Sequence, residues 1–147
     1  LHTRLDHAEL DTYEVREVRR VWRGFVAQLG ALNRTMEALR QTFHELSGID
    51  VQCYIRSLPA LGAELDNRFA AIEGMLDGHA PAHQPVELAC EHDREQLAER
   101  SHFEQSAVLL AVSQLTQLER ETRALDGAIQ ARGLGGGPAG GRAGQHV

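Results

Sequence analysis

Apolar residues recur at Val15, Val18, Trp22, Phe25, Leu29, Leu32, Met36, Leu39, Phe43 and Leu46, in steps of 3 and 4 that alternate without a miss. That spacing is the a/d seam of a heptad helix, which must bury one stripe against another helix. Few folds accommodate it. Gly24 and Gly30 fall outside the seam, where they lower helix propensity without disturbing packing. Upstream, Arg4 and Asp11 occupy seam positions, so residues 1–14 are expected to form an exposed or frayed helical lead-in. Downstream, Ser47-Gly48 supplies a stop, with Gly48 placed for a left-handed cap.

A second helical segment is expected from Asp50, a good N-cap before Val51. Pro59 lacks a backbone donor, so this helix should kink or restart there, with Ser57 as the new cap. Beyond it, Leu58, Leu61, Leu65, Phe69, Ile72 and Leu76 share one face, with Met75 at its edge, and Asp77-Gly78 ends the run. Pro81 and Pro85 mark a loop or crossover. A third helix is expected from about Glu91 or Asp93 to Arg132, on a seam of Val108, Ala111, Leu115, Leu118, Thr122, Leu125 and Ile129. Leu109, Leu110 and Val112 widen that face enough to touch two neighbours. Residues 133–147 hold half of the 14 glycines and read as a disordered tail. The expected fold is all-α. Residues 15–132 should form an elongated antiparallel bundle of about three long helices, the second kinked at Pro59, with coiled-coil-like packing.

Composition narrows the function classes. The net charge is −6, and a net acidic chain is a poor nucleic-acid binder. All 15 cations are Arg. Two cysteines make no disulfide framework and suit a reducing compartment. No signal-peptide pattern opens the chain, and the most hydrophobic uncharged stretch, Gln105 to Leu118, is too short to span a bilayer. The first residue is Leu1 rather than Met, so the chain is expected to be cut from a longer one.

Four arrangements could carry chemistry. His79, His83, Cys90 and His92 are soft ligands close in sequence, yet Pro81 prevents a helix that would align His79 with His83, and Cys90-x-His92 is an unusual half-site. They remain weak metal candidates beside the plainer reading of a solvated loop. His44-Glu45 begins like a zincin helix, but the position of the second histidine is Gly48. Arg16, Arg19, Arg20 and Arg23 share one side of a helix around Trp22 and could meet an anionic surface; the plainer reading is a solvated face laced by Glu14 and Glu17. Cys53, one turn into its helix, could have a modestly lowered pKa, but neither it nor Cys90 has a recognisable base beside it. No enzyme emerges, and no cofactor is implied.

The stretches Leu58-Pro59-Ala60-Leu61 through Glu64-Leu65, Arg68-Phe69 and Ile72-Glu73, and Ser101-His102-Phe103-Glu104 through Gln114-Leu115, Leu118-Glu119-Arg120, Arg123, Leu125 and Ile129, resemble the soluble helical region of the fusaric-acid-resistance type of bacterial aromatic-acid exporters. The resemblance spans roughly residues 15–132 and lacks the family's membrane spans. It implies a cytosolic domain at the inner membrane that helps assemble or couple an efflux transporter. Its partners would be other parts of the parent protein or a second protomer. No functional residue carries over. The alternative is a free-standing coiled-coil scaffold unconnected with transport.

Overall fold

The computed structural model describes the backbone of residues 2–132 and the side chains of residues 15–132. The exposure expected of 1–14 and the disorder expected of 133–147 lie outside those described side chains and residues. The described chain is all-helical, with no strand: α1 (His2–Glu45), a 3₁₀ turn (Val51–Cys53), α2 (Leu58–Leu76), α3 (Arg94–Ala98) and α4 (His102–Ala131). α4 packs against both α1 and α2. Arg132 approaches Glu17 at 3.8 Å while Glu121 accepts a hydrogen bond from Thr35, so α1 and α4 run in opposite directions.

The seam expected on α4 is buried throughout, from Val108 to Ile129. Leu109 and Leu110, expected to widen it, are instead exposed. On α1 the outcome is divided. Phe25, Leu32, Leu39 and Leu46, seven residues apart, are buried, and Phe43 is partly so. The other half of the expected seam is not: Val15, Val18, Trp22, Leu29 and Met36 face outward. The helix is rolled so that Val21, Gln28, Thr35 and Thr42 flank the buried column instead. Thr35 and Thr42 tolerate burial because their hydroxyls are satisfied: Thr42 donates to Ala38 O one turn back at 3.0 Å, and Thr35 places its one proton between Glu121 Oε1 at 2.5 Å and Ala31 O at 3.1 Å. Their methyl groups then pack as small apolar surface.

Several boundaries also differ from expectation. α1 ends without a left-handed residue at Gly48; Ser47 and Ile49 instead donate to His44 and Leu46 in tight turns. Asp50 does cap, but what it caps is the short 3₁₀ turn, through the Gln52 amide at 3.2 Å. Pro59 does not kink a helix. It stands in the first turn of α2, where its missing N–H would have had no partner anyway. Ser57 precedes α2 but makes no side-chain cap. Met75 is fully buried and Leu76 exposed, the reverse of the expected assignment. At the end of α2, His79 donates to Gly74 at 2.8 Å and Gly78 to Met75 at 3.1 Å, a Schellman pairing that requires the positive φ of Gly78. The third long helix is in fact two, α3 and α4. Ser101 adopts extended backbone and accepts from the Glu104 amide at 3.2 Å, the capping-box pattern, which starts a fresh helix.

The segment between the 3₁₀ turn and α2 is tied to the start of α3. Asp93 N donates to Tyr54 O at 2.7 Å, and Arg56 pairs with the Asp93 carboxylate at 2.8 Å. Arg100 lies over the buried Tyr54 ring, 5.4 Å from its centroid, and hydrogen-bonds its hydroxyl. Leu97 plugs this end of the core.

The rolled register makes neighbouring residues of α1 unequal. Leu32→Asp, at a site 4% exposed, should destabilise the fold by several kcal/mol, because an unpaired carboxylate would be buried. Met36→Asp, at a site 43% exposed, should change stability by about 0.5 kcal/mol or less. Urea unfolding followed by circular dichroism separates the two; similar losses would mean the helix is rolled the other way.

Candidate functional site

Two features stand apart from ordinary helix packing: a buried polar cluster and an uncovered apolar face. The cluster is centred on Arg68 of α2, which has no exposed surface. Its Nε donates to Glu64 Oε2 at 2.8 Å; one terminal nitrogen donates to Glu119 O at 2.8 Å and Thr122 Oγ1 at 3.0 Å; the other donates to Val86 O at 2.5 Å and Glu119 Oε1 at 3.1 Å. All five guanidinium N–H groups are therefore used. Glu64 in turn accepts from Val86 N at 2.8 Å and lies 2.8 Å from His83 Nε2. The irregular segment 79–93 is thus strapped across α2 and α4 by its own backbone and one histidine. Leu88 and Cys90 dock beneath it against the core.

Glu64 and Asp126, two of the carboxyl groups here, are shifted in opposite directions. Burial would raise Glu64, but hydrogen bonds from Val86, Arg68 and His83 to its charged form prevail and hold it below the usual range. Asp126 of α4 is pushed up, because burial outweighs the hydrogen bond from Gln130 to its Oδ1. Its other oxygen, Oδ2, is buried without a hydrogen-bond partner.

The weak metal candidates are dispersed by this arrangement. His79 Nδ1 lies 3.1 Å from Gly74 O, His83 is engaged by Glu64, and His92 lines an open groove with Arg56, Asp93 and Arg94. Cys90 is half-buried, and burial pushes its thiol up. Among the described residues no group of three or more His, Cys, Asp or Glu side chains is placed to hold a metal ion. Cys53 departs from expectation. Asp50 Oδ2 sits 3.5 Å from its sulfur and raises the thiol pKa, opposite to the activation a helix start would give.

The uncovered face belongs to α1. Val15, Val18, Trp22, Val26, Leu29 and Met36 are each between 39% and 63% exposed. At about 100° per residue they fall within roughly 80° of arc, forming a ridge roughly 30 Å long. Trp22 is oriented by an edge-to-face contact with Phe25, centroids 6.5 Å apart, which anchors the exposed indole to the core. Small apolar grooves flank it, one bounded by Val18, Arg19, Arg23 and Val26, the other by Glu17, Val21 and Arg132.

The basic run divides beside this ridge. Arg20 is held by both oxygens of Glu17, at 2.6 and 2.8 Å. Arg16, Arg19 and Arg23 are exposed and make no ion pair among the described residues. With Arg34 they line one flank of the ridge, while the buried column from Phe25 to Leu46 lines the other. Glu17 lies on the far side of the helix from this flank. Helical spacing alone located the arginines and most of the ridge. It did not reveal that the ridge is uncovered, nor that Arg68 is buried, since neither carries a local signal.

Comparison with protein-family models, curated proteins and solved structures finds no match to this chain. Among the described residues no helix is long and apolar enough to cross a membrane.

The buried cluster yields two expectations. Arg68→Met should destabilise the fold by about 3–5 kcal/mol, since Glu64 and Glu119 would keep buried charge without their shared partner. An unchanged denaturation midpoint would show that the cluster is dispensable. Asp126→Asn addresses pH. A carboxylate held low, as Glu64 is, stabilises the fold above its unfolded pKa, a contribution lost as pH falls through its folded value; one pushed up, as Asp126 is, weakens the fold above its raised value and ceases to do so once protonated. The variant should therefore be more stable than the parent at neutral pH, by roughly 1 kcal/mol, with the gap closing toward about pH 4. Melting curves with an equal gap at both pH values would contradict this.

Proposed function

We propose that this chain is a non-catalytic helical module that works by surface contact, and that its contact element is the outward face of α1. One observation carries the reading. Six large apolar side chains are held outward on a single helix, while threonines and a glutamine take the inward positions beside the core column. A contiguous apolar ridge of this length is unusual on a chain with no partner and is characteristic of interaction sites. The buried Arg68 cluster has the character of a clamp: each of its donors is already occupied from within the protein.

The resemblance of residues 58–73 and 101–129 to exporters of the fusaric-acid-resistance type supplies a setting. In it the module is the cytosolic helical region of an inner-membrane efflux protein, an elongated antiparallel bundle with coiled-coil-like packing. Its role is to assemble protomers or couple the membrane-embedded parts. The periodic spacing of Val15, Trp22, Leu29 and Met36 equally suits a free-standing interaction module.

The double variant Trp22→Asp/Leu29→Asp tests contact directly in the full-length parent. Both sites are exposed, so folding should persist while resistance to aromatic acids falls to that of a deletion strain. Full resistance at normal protein level would overturn the contact reading. The parent's reading frame is also expected to encode apolar segments of about 20 residues. A frame without them would replace the exporter setting with the free-standing module.

A further inference from the structure

The α1 ridge is amphipathic in a particular way, and this points to its partner. From Val15 to Met36 the outward arc contains valine, tryptophan, leucine, methionine and Asn33, with Arg19 at its margin and no carboxylate. Arg16, Arg19, Arg23 and Arg34 follow one another along a single flank, exposed and making no ion pair among the described residues. The chain as a whole is acidic, at net charge −6, so this concentration of uncompensated cation is local to the ridge.

We infer that the α1 ridge lies on an anionic lipid bilayer surface, with Trp22 and its apolar neighbours at the level of the headgroups and the flanking arginines on lipid phosphates. The inference rests on the contact reading above and names the partner of that same face.

Charge complementarity selects this occupant over a second copy of the chain. Antiparallel self-pairing through the ridge would bring arginine flank toward arginine flank, and parallel pairing would set it against the opposite flank, whose Glu17 is already held by Arg20 and Arg132. Glu17 borders the groove on the other side of Trp22, across the ridge from the arginines, and Glu37, just beyond Met36, is bound by Arg40 at 2.5 Å. Shape agrees. The ridge is convex along one helix, with small apolar grooves beside Trp22, a form that can lie flat on a plane. A plane of uniform negative charge satisfies a flank of one sign, and an apolar stripe beside basic residues is how helices lie in the interfacial layer. Tryptophan suits that layer because its ring is apolar and its N–H reaches water. Arginine stems can cover apolar surface while their heads extend to phosphate.

Trp22 is the sole tryptophan of the chain, so its fluorescence reports on this face alone. Titration with vesicles of phosphatidylglycerol and phosphatidylcholine should shift its emission to shorter wavelength and shield it from acrylamide. Vesicles of phosphatidylcholine alone should do neither, and added salt should weaken the effect. Arg19→Gln/Arg23→Gln, at exposed sites without ion pairs, should leave the circular dichroism spectrum unchanged and weaken vesicle binding roughly 30-fold. The inference is overturned by equal binding to neutral vesicles, by unweakened binding of the double variant, or by an indole that stays open to quencher with anionic vesicles present. Shielding of Trp22 that grows with protein concentration in the absence of lipid, accompanied by a dimer in sedimentation, would assign the face to a second copy. That result overturns the lipid assignment and leaves the contact reading standing. The contact reading itself falls only if Trp22→Asp/Leu29→Asp is fully active in the parent.

Discussion

A guanidinium group without solvent contact must have its hydrogen bonds met in full, and Arg68 meets this from three directions. Its acceptors come from its own helix, from the strap segment at Val86, and from α4 at Glu119 and Thr122. Sliding α2 along α4 by one turn, about 5.4 Å, would break every bond to α4 at once. Apolar packing alone tolerates small slips, whereas five directed bonds from one side chain do not. The relative placement of α2, α4 and the strap follows from this group. Removing it would leave two buried carboxylates facing one another's surroundings without a cation between them.

With α4 held in this way, its other side is available to α1, and the pairing there follows a different physical rule. α1 presents a column of Phe25, Leu32, Leu39 and Leu46, and either neighbouring column could join it. The structure uses the one with Gln28, Thr35 and Thr42. Threonine is short, the Thr42 hydroxyl is satisfied within its own helix, and Thr35 places its proton between its own helix and Glu121 of α4. Side chains of this size let two helices approach closely at little polar cost. Met36, Leu29 and Trp22 are bulkier and remain outside, where they form the contact face.

The legible and illegible parts of this fold divide along these lines. The α4 seam could be read because every member is apolar or threonine and all of them are buried. The end of α2 could be read from Asp77-Gly78, since a positive φ after a helix is most easily met by glycine. The division of the last helix was present as Ser101 and Glu104 at capping-box spacing but was masked by the continuous polar stretch around it. Counting apolar residues placed α1 in a heptad yet misjudged its roll, because Val15, Trp22, Leu29 and Met36 outweigh Gln28, Thr35 and Thr42 in such a count although the smaller column is the one buried. His83 was conspicuous as a ligand type, but it is occupied by Glu64, a residue nineteen positions away in a different element. Arg68 had no local mark. Burial of an arginine is decided by where its acceptors arrive in space.

The shared column on α1 has an evolutionary consequence. Phe25 takes part in both faces of the helix: it packs in the core and supports the ring of Trp22. Leu32 and Leu39 likewise separate the threonine column from the outward one. The residues on either side are free of one another. Drift at Leu29 or Met36 can retune what the protein meets without touching what holds it together, and drift at Gln28 or Thr42 can adjust the interior without altering its outward character. Only the central column answers to both demands, and it is there that substitutions should be least tolerated over time.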